Sequence, residues 1–158
     1  NFGGGISNGT IGLVFGGYNS QASGTSNAIS QKNIASSGAS TDFGDMSSPK
    51  TYPTGASNST RGVIGGGNNS GAINVIEYVT IASAGNATDF GDLTSVKDAP
   101  SGAASSTKAV FAGGLSGSAL NTIDVVTIAS AANSTDFGDL IAVMYGVAGT
   151  GTRHGGIS

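Results

Sequence analysis

The side chains with the most evident capacity for chemistry in this sequence are the carboxylates of a repeated pentapeptide. Thr41-Asp42-Phe43-Gly44-Asp45 returns as Thr88-Asp89-Phe90-Gly91-Asp92 and again as Thr135-Asp136-Phe137-Gly138-Asp139. Paired acids are raw material for a Ca²⁺ site, which needs about six to eight oxygens from clustered carboxylates and carbonyls. The copies lack the Asp-x-Asp-x-Asp-Gly loop that gathers such a set, so no metal is expected. The letters Asp-Phe-Gly also belong to the magnesium-holding segment of protein kinases, but nothing else in the chain supplies the other kinase parts. The expected role of Asp42, Asp89 and Asp136 is to accept hydrogen bonds from nearby backbone N–H groups in a turn. Phe43, Phe90 and Phe137 are expected to pack between successive units.

Two further constellations fail as catalysts. His154 is the single histidine, and a Ser-His-Asp site needs three groups in defined mutual roles, which the abundance of Ser and Asp does not specify. Glu77 and Asp124 stand on nearly matching segments and could form a glycosidase-type carboxylate pair. Read as one residue out of step in the repeat, they are expected on opposite faces of a strand. No catalytic residue and no cofactor are therefore assigned, and the chain is expected not to be an enzyme.

Composition narrows the partners. The 158 residues include 28 Gly, no Cys and no Trp; 9% are charged and the formal net charge is −3. Six Lys plus Arg, scattered singly, offer no basic stripe for a phosphate backbone, so nucleic acid is not expected. No apolar run approaches the roughly 20 residues that cross a bilayer as a helix, so no membrane insertion is expected. Gly and Ser at this level could mean disorder, but 37% of the chain is hydrophobic and its Val and Ile residues cluster at regular intervals, which argues for ordered structure.

Those intervals set the elements that must position everything else. The pentapeptide recurs every 47 residues, and Ile29, Ile76 and Ile123 keep the same step, as do Asn27, Asn74 and Asn121. Before each copy an apolar run enters paired glycines: Gly16-Gly17, Gly66-Gly67 and Gly113-Gly114. Such pairs suit places where backbones approach closely or φ is positive. From apolar run to pentapeptide the spacing is 25 residues in the second and third units and 27 in the first, so a two-residue difference falls in the intervening loop. Ile73 to Ile81 and Leu120 to Ile128 are rich in β-branched residues and predict strands. Ser26 to Ile34 is more polar, marking the first unit as the weakest or an edge. Each unit is thus predicted to hold four short strands, for example Tyr52 to Ser57, the Val63-Ile64-Gly65-Gly66 strand, Ile73 to Ile81, and Thr88 to Leu93. Units run over approximately 1–46, 47–93 and 94–140. A partial unit covers 141–158, opening with Met144 to Gly149.

The order of these signals resembles the kelch repeat: an apolar strand ending in Gly-Gly, a strand with a central Tyr78, and a strand with one aromatic, here Phe43, Phe90 or Phe137 where kelch units carry Trp. The combination of Arg61 to Gly67, Asn74 to Ser83 and Asn86 to Leu93 looks like the Gly-rich kelch-like repeats of tail-associated and structural proteins of marine bacteriophages. The resemblance implies an all-β fold of four-stranded antiparallel β-propeller blades, about three and a half of them. The ring would be completed by further sequence or by other chains. It also implies a virion-surface or extracellular adhesion module whose partners are a host-surface glycan or protein, other copies of itself or other virion proteins. The alternative is a purely structural self-assembling subunit. The variable loops after the Gly-Gly strands are the expected contact surface: Tyr18 for sugar stacking, and Asn19, Asn68, Asn69 and Ser116 for hydrogen bonds. Asn-x-Ser/Thr matches at Asn8, Asn58, Asn68, Asn86 and Asn133 are read as compositional.

Overall fold

The computed structural model describes residues 3–20, 23–147 and 149. All regular structure among them is β, arranged as small antiparallel sheets that follow one another along the chain. The first sheet begins with β1 (Gly4–Ser7) and β2 (Ile11–Phe15). A two-residue hairpin follows, β3 (Tyr18–Asn19) with β4 (Gly24–Thr25), and then β5 (Ala28–Asn33) and β6 (Thr41–Asp45) complete the order β1-β2-β5-β6. The second sheet is β7 (Thr54–Ser57), β8 (Arg61–Gly65), β9 (Val75–Thr80) and β10 (Thr88–Asp92), adjacent in sequence order. The third has β11 (Ser101–Ala104), β12 (Lys108–Ala112), β14 (Ser118–Thr127) and β15 (Thr135–Met144), with β13 (Leu115–Ser116) folded back on the start of β14.

Turn chemistry explains the first hairpin of each sheet. Asn8 Oδ1 accepts from the N–H groups of Thr10 and Ile11 at 3.0 and 2.8 Å, and Asn58 Oδ1 does the same for Thr60 and Arg61 at 2.9 and 2.8 Å. A short polar side chain that mimics a backbone acceptor fixes the turn. In the third sheet Ser105 Oγ takes this place, accepting from Thr107 and Lys108.

The sheets stack face to face, and the apolar core lies between them. Leu13, Phe15, Ile29, Phe43 and Met46 on the forward face of the first sheet close over Ile64, Val79 and Ile81 of the second. Val63, Ile76, Phe90 and Leu93 of the second close over Phe111, Val126 and Ile128 of the third. Strand alternation makes this possible: Ile64 points back to the first sheet and Val63 forward to the third.

Three expectations are corrected. The pentapeptide forms the expected fourth strand, but its first Asp lies in that strand beside a bulge and not in a turn: pairing skips at Phe43, Phe90 and Phe137, because Gly44, Gly91 and Gly138 pair with Ile29, Ile76 and Ile123 while Asp42, Asp89 and Asp136 pair with Ser30, Glu77 and Asp124. The extra residue turns each Phe toward the forward face. Phe43 and Phe90 are buried there, whereas Phe137 is 67% exposed because no described sheet lies in front of it. Second, the loop after β2 is longer by three residues, not two. Burial aligns Leu13, not Val14, with Val63, so Gly16 and Gly66 stand 50 residues apart while Asn27 and Asn74 stand 47 apart. Third, Tyr52 lies in the linker before β7, with φ 56°. Met144 ends β15, where it pairs with Leu120, and its carbonyl accepts from Gly114 as that of Lys97 accepts from Gly67 one step earlier. The turn expected at Gly151-Thr152 and His154 lie outside the described residues.

Candidate functional site

In a four-stranded antiparallel sheet the connection between the second and third strands lies at the same end as the linker to the next sheet. That end collects the loops singled out from the sequence. Gly17 and Gly67 donate to the carbonyls of Lys50 and Lys97 at 3.0 Å, and Gly114 donates to that of Met144 at 2.7 Å. The glycines before them, Gly16, Gly66 and Gly113, have φ of 67°, 65° and 67°. A Cβ on Gly66 would stand 2.5 Å from the Lys97 carbonyl oxygen, and one on Gly16 would stand 2.8 Å from that of Lys50. The glycine pairs therefore let each linker lie directly on the loop behind it. Two-way backbone bridges, Thr51 with Asn68 and Asp98 with Leu115, continue the seam.

Tyr18, Asn68 and Leu115 each follow their glycine pair, so the variable loops occupy equivalent places. Tyr18 is half exposed on β3, Asn19 follows it, and Asn69 is exposed beside Asn68. Asn68 is committed to the protein: its Nδ2 donates to Asp98 Oδ2 at 2.9 Å and its Oδ1 accepts from Gly71 N at 3.1 Å. Ser116 is partly buried in the tight β13–β14 turn. The surface offered at this end is the Tyr18 ring, flanked by Asn and Ser groups on loops held down by backbone hydrogen bonds.

Behind this face lies a pair of features missed from the sequence. Glu77 and Asp124 are 47 residues apart and therefore in register, on the same face of their strands, which corrects the expectation of opposite faces. Glu77 Oε2 is ion-paired with Lys50 Nζ and Asp124 Oδ2 with Lys97 Nζ; all four side chains are buried. Lys50 and Lys97 also stand 47 apart. Glu77 Oε1 accepts from Ser47 N at 2.7 Å. Asp124 Oδ1 accepts from Thr94 N at 3.0 Å, from Thr94 Oγ1 and from Ser134 Oγ at 3.0 Å. Burial raises the Asp124 pKa, but hydrogen bonds from Lys97 and Thr94 together with the Lys97 charge outweigh it and hold the carboxyl below its ordinary 3.8. Each pair pins a linker, and with it Thr51 or Asp98, to the strand beneath. The matched 47-residue steps from Lys to Lys and from acid to acid were the available signal.

The Asn-x-Ser/Thr matches also have a structural account. All five asparagines use Oδ1 to accept a backbone N–H: Asn8, Asn58 and Asn68 within their own turns, Asn86 from Asp45 and Asn133 from Asp92 in the preceding sheet, both at 3.0 Å. Asp42 and Asp89 are exposed on their strands, and Asp136 accepts from Gly138 N at 2.9 Å.

A groove of about 580 Å³ runs along the first strands of the sheets, past Gly5, Ser7, Gly55, Ser57 and Gly102. Its described lining is Gly, Ala, Ser and aliphatic, with no carboxylate among these residues. Compared with known proteins, the chain matches no family model and no curated protein.

Proposed function

We propose that this chain is a segment of a kelch-like β-propeller serving as a non-enzymatic adhesion module on a virion or extracellular surface, with a host glycan as its ligand. The observation that carries the reading is the gathering of three equivalent loops at one end of the stacked sheets. That end presents an exposed Tyr18 ring among Asn and Ser groups on backbone-pinned loops. An aromatic face with neutral amides and hydroxyls suits an uncharged sugar, and weak single contacts multiply when many copies act together. Three consecutive four-stranded meanders at a 47-residue period, close-packed at their glycine-rich first strands, support the propeller assignment. The buried carboxylates are tied up by lysines, which favours binding over acid–base chemistry.

The test is to display the chain on beads and measure binding to host cells and a glycan array, with Tyr18→Ala in parallel. Saturable binding that free sugar competes away, and that the variant lowers at least tenfold, is the expected outcome. Absence of binding under multivalent display would leave the second reading, a structural assembly subunit. A separate observation favours that one: Phe137 on the forward face of the third sheet is exposed, and Ile141 and Val143 further along β15 are exposed as well.

A further inference from the structure

The two sheet-to-sheet interfaces inside the chain are a template for what its open faces accept. In that template the forward-face Phe, Phe43 or Phe90, is 3% or 2% exposed beneath an apolar rear face, Ile64 or Phe111 with Ile81 or Ile128. The third sheet keeps the forward Phe137, and the first keeps the rear-face positions as Val14 and Ile34, 63% and 57% exposed. From these matched halves we infer that the forward face of the third sheet docks onto the rear face of the first sheet of a second copy, head to tail.

The charge pattern distinguishes this occupant from any other unit of the same repeat. At both internal interfaces a linker lysine meets an acid from the next sheet, Lys50 with Glu77 and Lys97 with Asp124. One step further, the lysine position is Met144; in the first sheet the acid position is Ser30. A unit of the internal type placed on the third sheet would bury its acid against Met144, and an internal linker placed behind the first sheet would bury its lysine against Ser30. Both arrangements leave an unpaired buried charge, which is strongly unfavourable. Placed together, Met144 and Ser30 leave none. Lys32, where the other sheets have Val79 and Val126, brings a cation toward the edge that carries the exposed Asp136 and Asp139. Two copies joined at both junctions make a closed set of six sheets, within the number of blades that propellers use. Gly149 sits against Gly102, in the place that Gly5 of the incoming copy would take, and so moves aside on docking.

The test is the mass of the 158-residue chain in solution, by light scattering and sedimentation, with Val14→Asp, Phe137→Asp and an equimolar mixture of the two. Both substitutions are at exposed positions, and circular dichroism confirms the fold of each variant. Wild type is expected at twice the 15.2 kDa protomer mass and each variant at the protomer mass. The mixture is expected to regain a dimer, because it retains one intact head and one intact tail. A monomeric wild type at high micromolar concentration overturns the inference, and so does a dimer that survives Val14→Asp, which would mean a contact that does not use the rear face of the first sheet. A chain ending at Val147 is expected to associate at lower concentration; weaker association would place the contact elsewhere. Bead display imposes multivalency artificially, so failure here leaves the glycan result unaffected, and the reverse holds too.

Discussion

Replacing Lys97 with Met removes the ammonium that neutralises Asp124 while preserving most of the side-chain volume. The carboxylate stays fully buried with three remaining donors, Thr94 N, Thr94 Oγ1 and Ser134 Oγ. Breaking a buried pair from one side costs about 3–5 kcal/mol, and the surviving hydrogen bonds place this site near 3 kcal/mol. Asp124→Ser alone strands the lysine with Thr122 Oγ1 as its remaining partner and is expected to cost a similar amount. The double variant Lys97→Met/Asp124→Ser reproduces the residue types found at Met144 and Ser30. With no charge left buried it is expected to lose only about 1–2 kcal/mol, a coupling of more than about 2 kcal/mol in the cycle. Urea denaturation followed by far-ultraviolet circular dichroism measures all four proteins. The pH dependence carries a sign. Wild-type Asp124 has a lowered carboxyl pKa, so its contribution is present above the unfolded value of about 3.9 and fades as pH falls through the lower folded value. In Lys97→Met burial acts without the lysine and the pKa rises; protonation then relieves the variant, and its deficit shrinks as pH is lowered from 7 toward 4. Additive single-variant losses, or a deficit that grows on acidification, would refute the account of the pair as a charge-balanced clamp.

Two backbone predictions follow from the repeat. Gly91→Ala would set a Cβ 2.6 Å from the Ala132 carbonyl at φ 141°, whereas Gly138→Ala, at φ 132°, meets nothing within 4 Å. Both carry conformational strain, but only the first collides, so Gly91→Ala should be destabilised by at least about 2 kcal/mol more in the same urea assay. Ala99 is held at φ 48°, and the equivalent position one step on is Gly146 at φ 65°. Ala99→Gly should therefore raise stability by about 0.5–1 kcal/mol, visible as a higher melting temperature; a lower one would mean that the left-handed conformation carries no strain.

Much of the architecture was legible because period and residue type act locally. The 47-residue step, the β-branched runs and the glycine pairs placed three similar four-stranded sheets and located the loops of the candidate face. Where the reading failed, the missing information was a neighbour. Thr-Asp-Phe-Gly-Asp was legible as the fourth strand, but the turn expected at its first Asp is absent, because cross-strand pairing around Ile29, Ile76 and Ile123 makes the pentapeptide a bulged strand. Val14 resembles Val63 in sequence, but its register is set by β1, which places Leu13 in the core. The candidate face itself was legible only as loop variability. That Asn68 is consumed by Asp98 and Gly71, leaving Tyr18 and Asn69 more open, follows from bonds spanning up to 30 residues.

By itself the sequence determined the β class, the 47-residue step and the glycine pairs that let a linker lie close on the loop behind it, since composition and spacing constrain these directly. Tertiary structure alone decided which side of each sheet is buried, which lysine meets which acid and which faces remain open. Those outcomes depend on packing one sheet against the next: Phe43, Phe90 and Phe137 share the same pentapeptide, and among the described residues a sheet lies in front of the two buried rings and none in front of the exposed one.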